Sequence, residues 1–154
     1  MGEVHFRPAV LADAALLARD LRPADRAEVI AASGPDVLRT VRAAVHLSTD
    51  AWVAEKNGEL IALFGIAPVS LMGGIGSIWF LGTPVVDQLG RSLTRFAREY
   101  LRLVLATEYT VLMNYVDARN AKSVRWLQRL GFTLHAAEPY GVAGLPFHKF
   151  EMRS

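Results

Sequence analysis

The chain contains no cysteine. That absence excludes disulfide staples, thiolate metal sites and a cysteine nucleophile, and it suits a reducing compartment. Charge of one sign is also scarce. Seventeen basic against 15 acidic residues leave a formal net charge of +2, too little for a global field that would draw the chain to nucleic acid or to a membrane surface. No apolar run reaches the roughly 18 residues of a membrane-spanning helix. The N-terminal MGEVHFRPAV lacks the basic-then-apolar pattern of a secretory signal. There is no Gly-x-Ser-x-Gly elbow and no paired-carboxylate signature. MGGIGS at 72–77 lacks the Lys-Ser/Thr ending of a phosphate loop and reads as a strand connection. His5, His46, His135 and His148 stand at no metal-ligand spacing, so no metal site is expected.

What is present is apolar material: 52% of 154 residues are hydrophobic and 21% charged. This composition predicts a single domain over residues 1–154 with a well-filled core. VHFRPA reads as a first strand. Residues 12–21 look helical, Pro23 suits the first position of a second helix, and PDVLRTVRAAVHLS carries Val37, Leu38, Val41, Ala44 and Val45 on one side. AWVAEKNGELIALFGIAPVS is the clearest hairpin, with two apolar runs around Asn57-Gly58. LMGGIG, 71–76, is a flexible connection. SIWFLGTP is a fourth strand, apolar enough to be central and covered on both faces.

A long helix is expected from near Asp87 to about Ala106. Leu89, Leu93, Phe96, Ala97, Tyr100, Leu101 and Val104 form its buried stripe, and Arg91, Arg95, Arg98 and Arg102 its opposite face. YTVLMNYV is another buried strand. NAKSVRWLQRL is a short helix that Asn120 suits as an N-cap and that Gly131 stops. FTLHAA and FHKFEM are two last strands, joined by a Gly/Pro-rich loop at 138–146. Strands and helices interleave, which predicts an α/β or α+β class with a mixed sheet.

Two features of this order carry a resemblance. The stretch NYVDARNAKSVRWLQRLGF runs from a strand through Asn120 and a short helix to Gly131-Phe132, eleven positions after the Asn. FRPAVLADAALLARDL looks like the matching first strand and helix. Together they resemble the GNAT superfamily, the Gcn5-related N-acetyltransferases. The resemblance implies a mixed, mostly antiparallel sheet of about six or seven strands. It also implies acetyl-CoA between a splayed fourth and fifth strand, and an amine substrate, either a small molecule or a protein. The implied cofactor contacts are Leu81, Gly82, Leu89, Gly90, Arg91, Ser92, Asn120 and Ser123. Backbone N–H groups near Leu81 and Gly82 would polarise the thioester carbonyl.

Two positions depart from that pattern. The phosphate loop of the superfamily begins with Gln or Arg, where this chain has Asp87 ahead of Gly90 and Ser92. A Tyr acting as general acid commonly falls at the position held here by Leu127. The fourth strand carries no acid, so Tyr115, Asp117 or Tyr140 would have to serve. LRPADRAEV, WFLGT, NYVDARN and GVAGLPFHKFEM are further similar to a GNAT-like family of tailed phages and prophages that includes internal virion protein A. Two functions therefore stand side by side. One is an acetyl-CoA-dependent N-acetyltransferase in the cytoplasm of a bacterial host. The other is a non-catalytic phage accessory protein that binds a phage or host protein and associates with the virion. A homodimer paired through sheets or last strands fits either. Between residues 87 and 129, eight basic residues face four acidic ones, a local patch suited to a phosphate-bearing ligand.

Overall fold

The structure is a computed structural model that describes residues 3–70 and 72–154; Leu71, in the expected 71–76 connection, lies outside the described residues. β1 (Val4–Pro8) is followed by α1 (Asp13–Asp20), α2 (Pro23–Ser33) and α3 (Val37–Leu47). Each start has a local cause. The Asp13 carboxylate accepts the Val10 N–H at 2.8 Å and the Arg7 guanidinium at 2.8 and 2.9 Å. Pro23 occupies the first turn of α2. Asp36 caps α3 by accepting the Arg39 N–H.

β2 (Asp50–Lys56) and β3 (Glu59–Ser70) form the expected hairpin. Its turn residues Asn57 and Gly58 have φ of 54° and 76°, the positive pair that a primed turn requires. β4 is Ile75–Gly82, so Ile75, Gly76 and Ser77 belong to a strand rather than to the 72–77 connection. After it the chain makes a 3-10 turn over Pro84–Gln88, then α4 (Arg91–Thr107), β5 (Val111–Asp117) and α5 (Ala121–Leu130). The long helix therefore begins four residues later than Asp87. Gly90, at φ 48° and ψ −115°, breaks the run, a conformation open to glycine and strained for other residues.

The chain closes with β6 (Thr133–Leu134), β7 (Glu138–Tyr140) and β8 (Leu145–Arg153). The first of the two expected last strands shrinks to two residues. Part of the expected 138–146 loop is a strand, paired with β8 from Glu138↔Phe147 to Tyr140↔Leu145. The sheet order is β1-β2-β3-β4-β5-β8-β6, with β7 also on β8. Among the described residues only the β4–β5 pair is parallel. The mixed, mostly antiparallel sheet thus follows the expectation, with eight strands among the described residues. Helices α1 and α3 pack on one group of core residues around Leu17, Val41 and Leu63, and α4 and α5 on another around Leu112 and Leu130. No helix of the described residues is long and apolar enough to cross a membrane.

The β7–β8 turn docks on the end of α2. Val142 N–H donates to the Ala32 carbonyl and Ala143 N–H to that of Ala31. Gly141 makes this approach feasible: its φ is +77°, and an added Cβ would lie 2.6 Å from Ala32 Cα. Gly141→Ala should therefore cost about 1–3 kcal/mol from the backbone strain alone. Chemical denaturation of the two proteins would measure it, and an unchanged midpoint would contradict the tight docking.

Candidate functional site

The site begins where two strands part. β4 and β5 pair only over Ile75↔Val111, Gly76↔Leu112 and Ser77↔Met113. At the next position the Asn114 side chain intervenes. Its Nδ2 donates to the Ile78 carbonyl at 2.7 Å, and its Oδ1 accepts the Tyr115 N–H at 2.8 Å. A side chain thus takes over the hydrogen bonds that a neighbouring strand would have made. Beyond this wedge lies a gap. For that reason Ile78, Trp79 and Phe80 of the central strand are only half-buried, although full cover was expected.

On the β5 side of β4, the Gly82 N–H donates to the Asp25 carboxylate at 2.9 Å and the Gly82 carbonyl accepts the Arg22 N–H at 2.8 Å. Backbone groups alternate sides along a strand, so the Phe80 N–H and C=O face the same gap. The Gly82 N–H, expected to polarise a bound carbonyl, is instead held by Asp25. The exposed backbone donor of the gap belongs to Phe80.

Two cavities open on the gap. One, of about 270 Å³, has aromatic walls that include Trp79, Tyr115, Tyr140 and Phe147. The other, of about 240 Å³, is rimmed by Arg22, Lys122, Arg125 and Arg129, with Gly90 and Asp87. Phe80, Leu93, Ser123 and Trp126 line both. Trp126 is the partition. Its ring meets Phe80 edge-on at 5.2 Å, and its Nε1 donates to Thr94 Oγ1 at 3.1 Å, bridging α5 to α4. Leu127, beside it, lines the aromatic cavity and offers no proton.

The expected site residues divide accordingly. Leu81, Tyr115 and Ser123 reach the aromatic cavity, and Gly90 the basic one. Leu89, Arg91 and Ser92 line neither. Leu89 packs in the core around Val86, Arg91 is exposed, and Ser92 donates both N–H and Oγ–H to the Leu89 carbonyl. Asn120 is buried rather than exposed to ligand. Its Oδ1 accepts the Ser123 N–H, and its Nδ2 donates to Asp25 and Glu28, each bond at 3.4 Å. It caps α5 and ties it to α2.

Asp117 is likewise occupied. The Arg119 guanidinium clamps its carboxylate, at 2.7 Å for the shortest contact, and the Arg119 N–H adds a bond at 2.9 Å. Burial pushes this carboxyl up, but the bonds from Arg119 outweigh it and hold it below the usual range. A carboxylate so paired makes a poor base, and it does not line the aromatic cavity. Tyr115 stacks on Tyr140 with centroids 4.0 Å apart. Burial first, then Tyr115, raises the Tyr140 hydroxyl.

The acid at the phosphate-loop position is also paired. Asp87 bonds Arg22 Nη1 at 2.9 Å and Lys122 Nζ at 3.5 Å. Arg22 turns its other face to Asp25 at 2.9 Å. Asp25, 2% exposed, thus joins α2, the end of β4 and the start of α5. Sequence reading passed over Asp25, Glu28, Arg22 and Thr94. A signal existed for two of them: acids at 25 and 28 stand three apart, on one face of a helix. The stretches 21–29, 79–83 and 114–120, far apart in the chain, meet at this one place.

Residues 60–138 match the family model described as "Bacteriophage T7, probable scaffold protein Gp13". A 90-residue stretch, 56% of this chain, is 36% identical to mycothiol acetyltransferase of Streptomyces avermitilis. The match spans only 28% of that relative's length. Among solved structures, ribosomal-protein-alanine N-acetyltransferase from Brucella melitensis superposes with a TM-score of 0.72 and 16% identity, covering 97% of this chain and 99% of its own. Spermidine N-acetyltransferase from Vibrio cholerae, in complex with CoA and spermine, gives a TM-score of 0.67 at 14% identity, covering 97% and 95%. The fold is that of the GNAT acetyltransferases.

Proposed function

Because this chain belongs to the family described as "Bacteriophage T7, probable scaffold protein Gp13" and carries the GNAT fold, we propose that it is an acetyl-CoA-dependent N-acetyltransferase of phage or prophage origin, acting on a small-molecule amine. The observation that supports this reading is the gap between β4 and β5 beyond Asn114, on which an aromatic cavity and a basic one open. The donor set suits acetyl-CoA. Lys122, Arg125 and Arg129 supply cations for its phosphates. The backbone at Gly90 is open, since an added Cβ there would meet nothing within 4 Å. Phe80 offers its backbone in the gap, and Ser123 lines both cavities. When bound, acetyl-CoA would supply an activated acyl group; the protein's part is to position it and to manage the amine's proton.

Isothermal titration with acetyl-CoA tests the reading. Saturable, micromolar binding is expected, and Gly90→Glu should abolish it by placing a carboxylate at φ +48° on the rim of the basic cavity. No binding at millimolar ligand would overturn the transferase reading. A second reading then takes its place: a non-catalytic phage accessory protein of the host cytoplasm or virion, using the fold to bind a phage or host protein. The family's description as a scaffold and the carboxylate of Asp87 in the basic cavity favour it.

A further inference from the structure

Glu28 lies on α2, half-buried, in the wall of the aromatic cavity. Among the described residues that line this cavity it is the only one that carries a formal charge. Its Oε1 accepts the Asp117 N–H at 2.8 Å and the Asn120 amide at 3.4 Å. No bond to Oε2 accompanies them among the described residues, and Oε2 is not sealed off as an orphan. One oxygen is therefore anchored, while the other carries no bond among the described residues, on a side chain that lines the cavity. Three other polar side chains of the lining are committed elsewhere. Asn114 holds the strand wedge, Trp79 donates to Ser48 at 2.8 Å, and Tyr100 donates to Asp50 at 3.0 Å.

We propose that Glu28 is the amine-binding and proton-accepting residue of this cleft. Its free Oε2 would meet a primary ammonium whose apolar or aromatic body lies along Tyr115, Tyr140 and Trp79. This rests on the transferase reading above and names the substrate class for that site. A lone carboxylate among aromatic faces suits one cationic nitrogen, with the rings contributing cation–π attraction. It suits a monoamine better than a polycation, because no second acid among the described residues lines the cavity. In the step assigned to Glu28, R–NH3+ and the carboxylate become R–NH2 and the carboxylic acid. An N–H bond breaks, an O–H bond forms, and nitrogen keeps the electron pair with which it attacks.

The electrostatics are matched to that step. Burial pushes the Glu28 carboxyl up to about 7, against the bond from the Asp117 N–H and with the repulsion of Asp25 adding to it. The groups around it are Asp25 with its partner Arg22, Asp117 with its partner Arg119, and the hydroxyls of Tyr115 and Tyr140. The same desolvation lowers the pKa of an ammonium, so donor and acceptor approach each other.

Carboxyl carbon NMR of the full chain, labelled at glutamate side chains, tests the contact directly. The Glu28 signal is identified by its loss in Glu28→Gln. It should titrate near neutrality, and saturating 2-phenylethylamine should lower its midpoint by about one unit or more. The neutral 2-phenylethanol should leave it in place. With acetyl-CoA present, kcat/KM for the amine should rise with pH through the same range. Glu28→Gln should lower it about 10²- to 10⁴-fold while acetyl-CoA affinity by calorimetry stays unchanged. A midpoint that the amine does not move, or full turnover by Glu28→Gln, would overturn the assignment. Loss of acetyl-CoA binding in the wild type would instead refute the transferase reading, and the NMR titration would still decide the amine contact.

Discussion

Asp25→Ala should destabilise the protein by about 3–5 kcal/mol, the range for breaking one side of a buried ion pair. The carboxylate is 2% exposed and has three kinds of partner. It accepts the Gly82 N–H at 2.9 Å, the Arg22 guanidinium at 2.9 and 3.1 Å, and the Asn120 amide at 3.4 Å. Truncation strands a buried backbone donor at the end of β4 and removes one of Arg22's two acids. It also loosens the contact that holds the α5 cap against α2. Each unsatisfied donor costs about 1–3 kcal/mol on its own. Asp25→Asn, which keeps an acceptor for Gly82, should lose less. Denaturant unfolding of the three proteins measures the effect, and a loss below about 1 kcal/mol for the alanine variant would show that water replaces the network.

Asp87→Gln should tighten acetyl-CoA binding about tenfold, a change of about 1.4 kcal/mol. The carboxylate bonds Arg22 and Lys122, so in the basic cavity it competes with any phosphate for the same cations. At an effective dielectric near 20, like charges about 6 Å apart repel by roughly 3 kcal/mol. Asp87 is 34% exposed, so solvent and salt reduce that figure by about half. Arg22 remains anchored by Asp25 at 2.9 Å and does not collapse into the vacated space. The gain should shrink as salt is raised. Titration at two ionic strengths checks this, and unchanged or weaker binding by Asp87→Gln would mean that phosphates do not use this cavity.

The elements that proved legible in the sequence are those whose causes lie a few residues away. The Asn57-Gly58 turn, the Pro23 start, the Asn120 cap and the Gly131 stop each satisfy a local backbone demand, and all four are present. The long helix was misplaced at its start because the 3-10 turn after Pro84 also begins with helical dihedrals, and only Gly90 separates the two. Asn120 was legible as a cap but not as a partner of Asp25, which lies 95 positions away. Asp117 carried the right chemistry for a base, yet a guanidinium two residues on neutralises it.

The sequence by itself determined the order of most strands and helices and the mixed sheet, since hydrophobic period, caps and turns act over short stretches of chain; the acetyltransferase-like frame came from the resemblance carried by the stretch from Asn120 to Phe132. The tertiary structure alone decided where the chemistry can lie. Burial, not residue type, raises Glu28 to about 7. The pairing of Asp87 with Arg22 spans 65 positions. A single side chain, Asn114, ends the β4–β5 ladder and opens the gap. Desolvation and long-range charge pairing depend on what is brought close in space, and no local pattern in the chain encodes them.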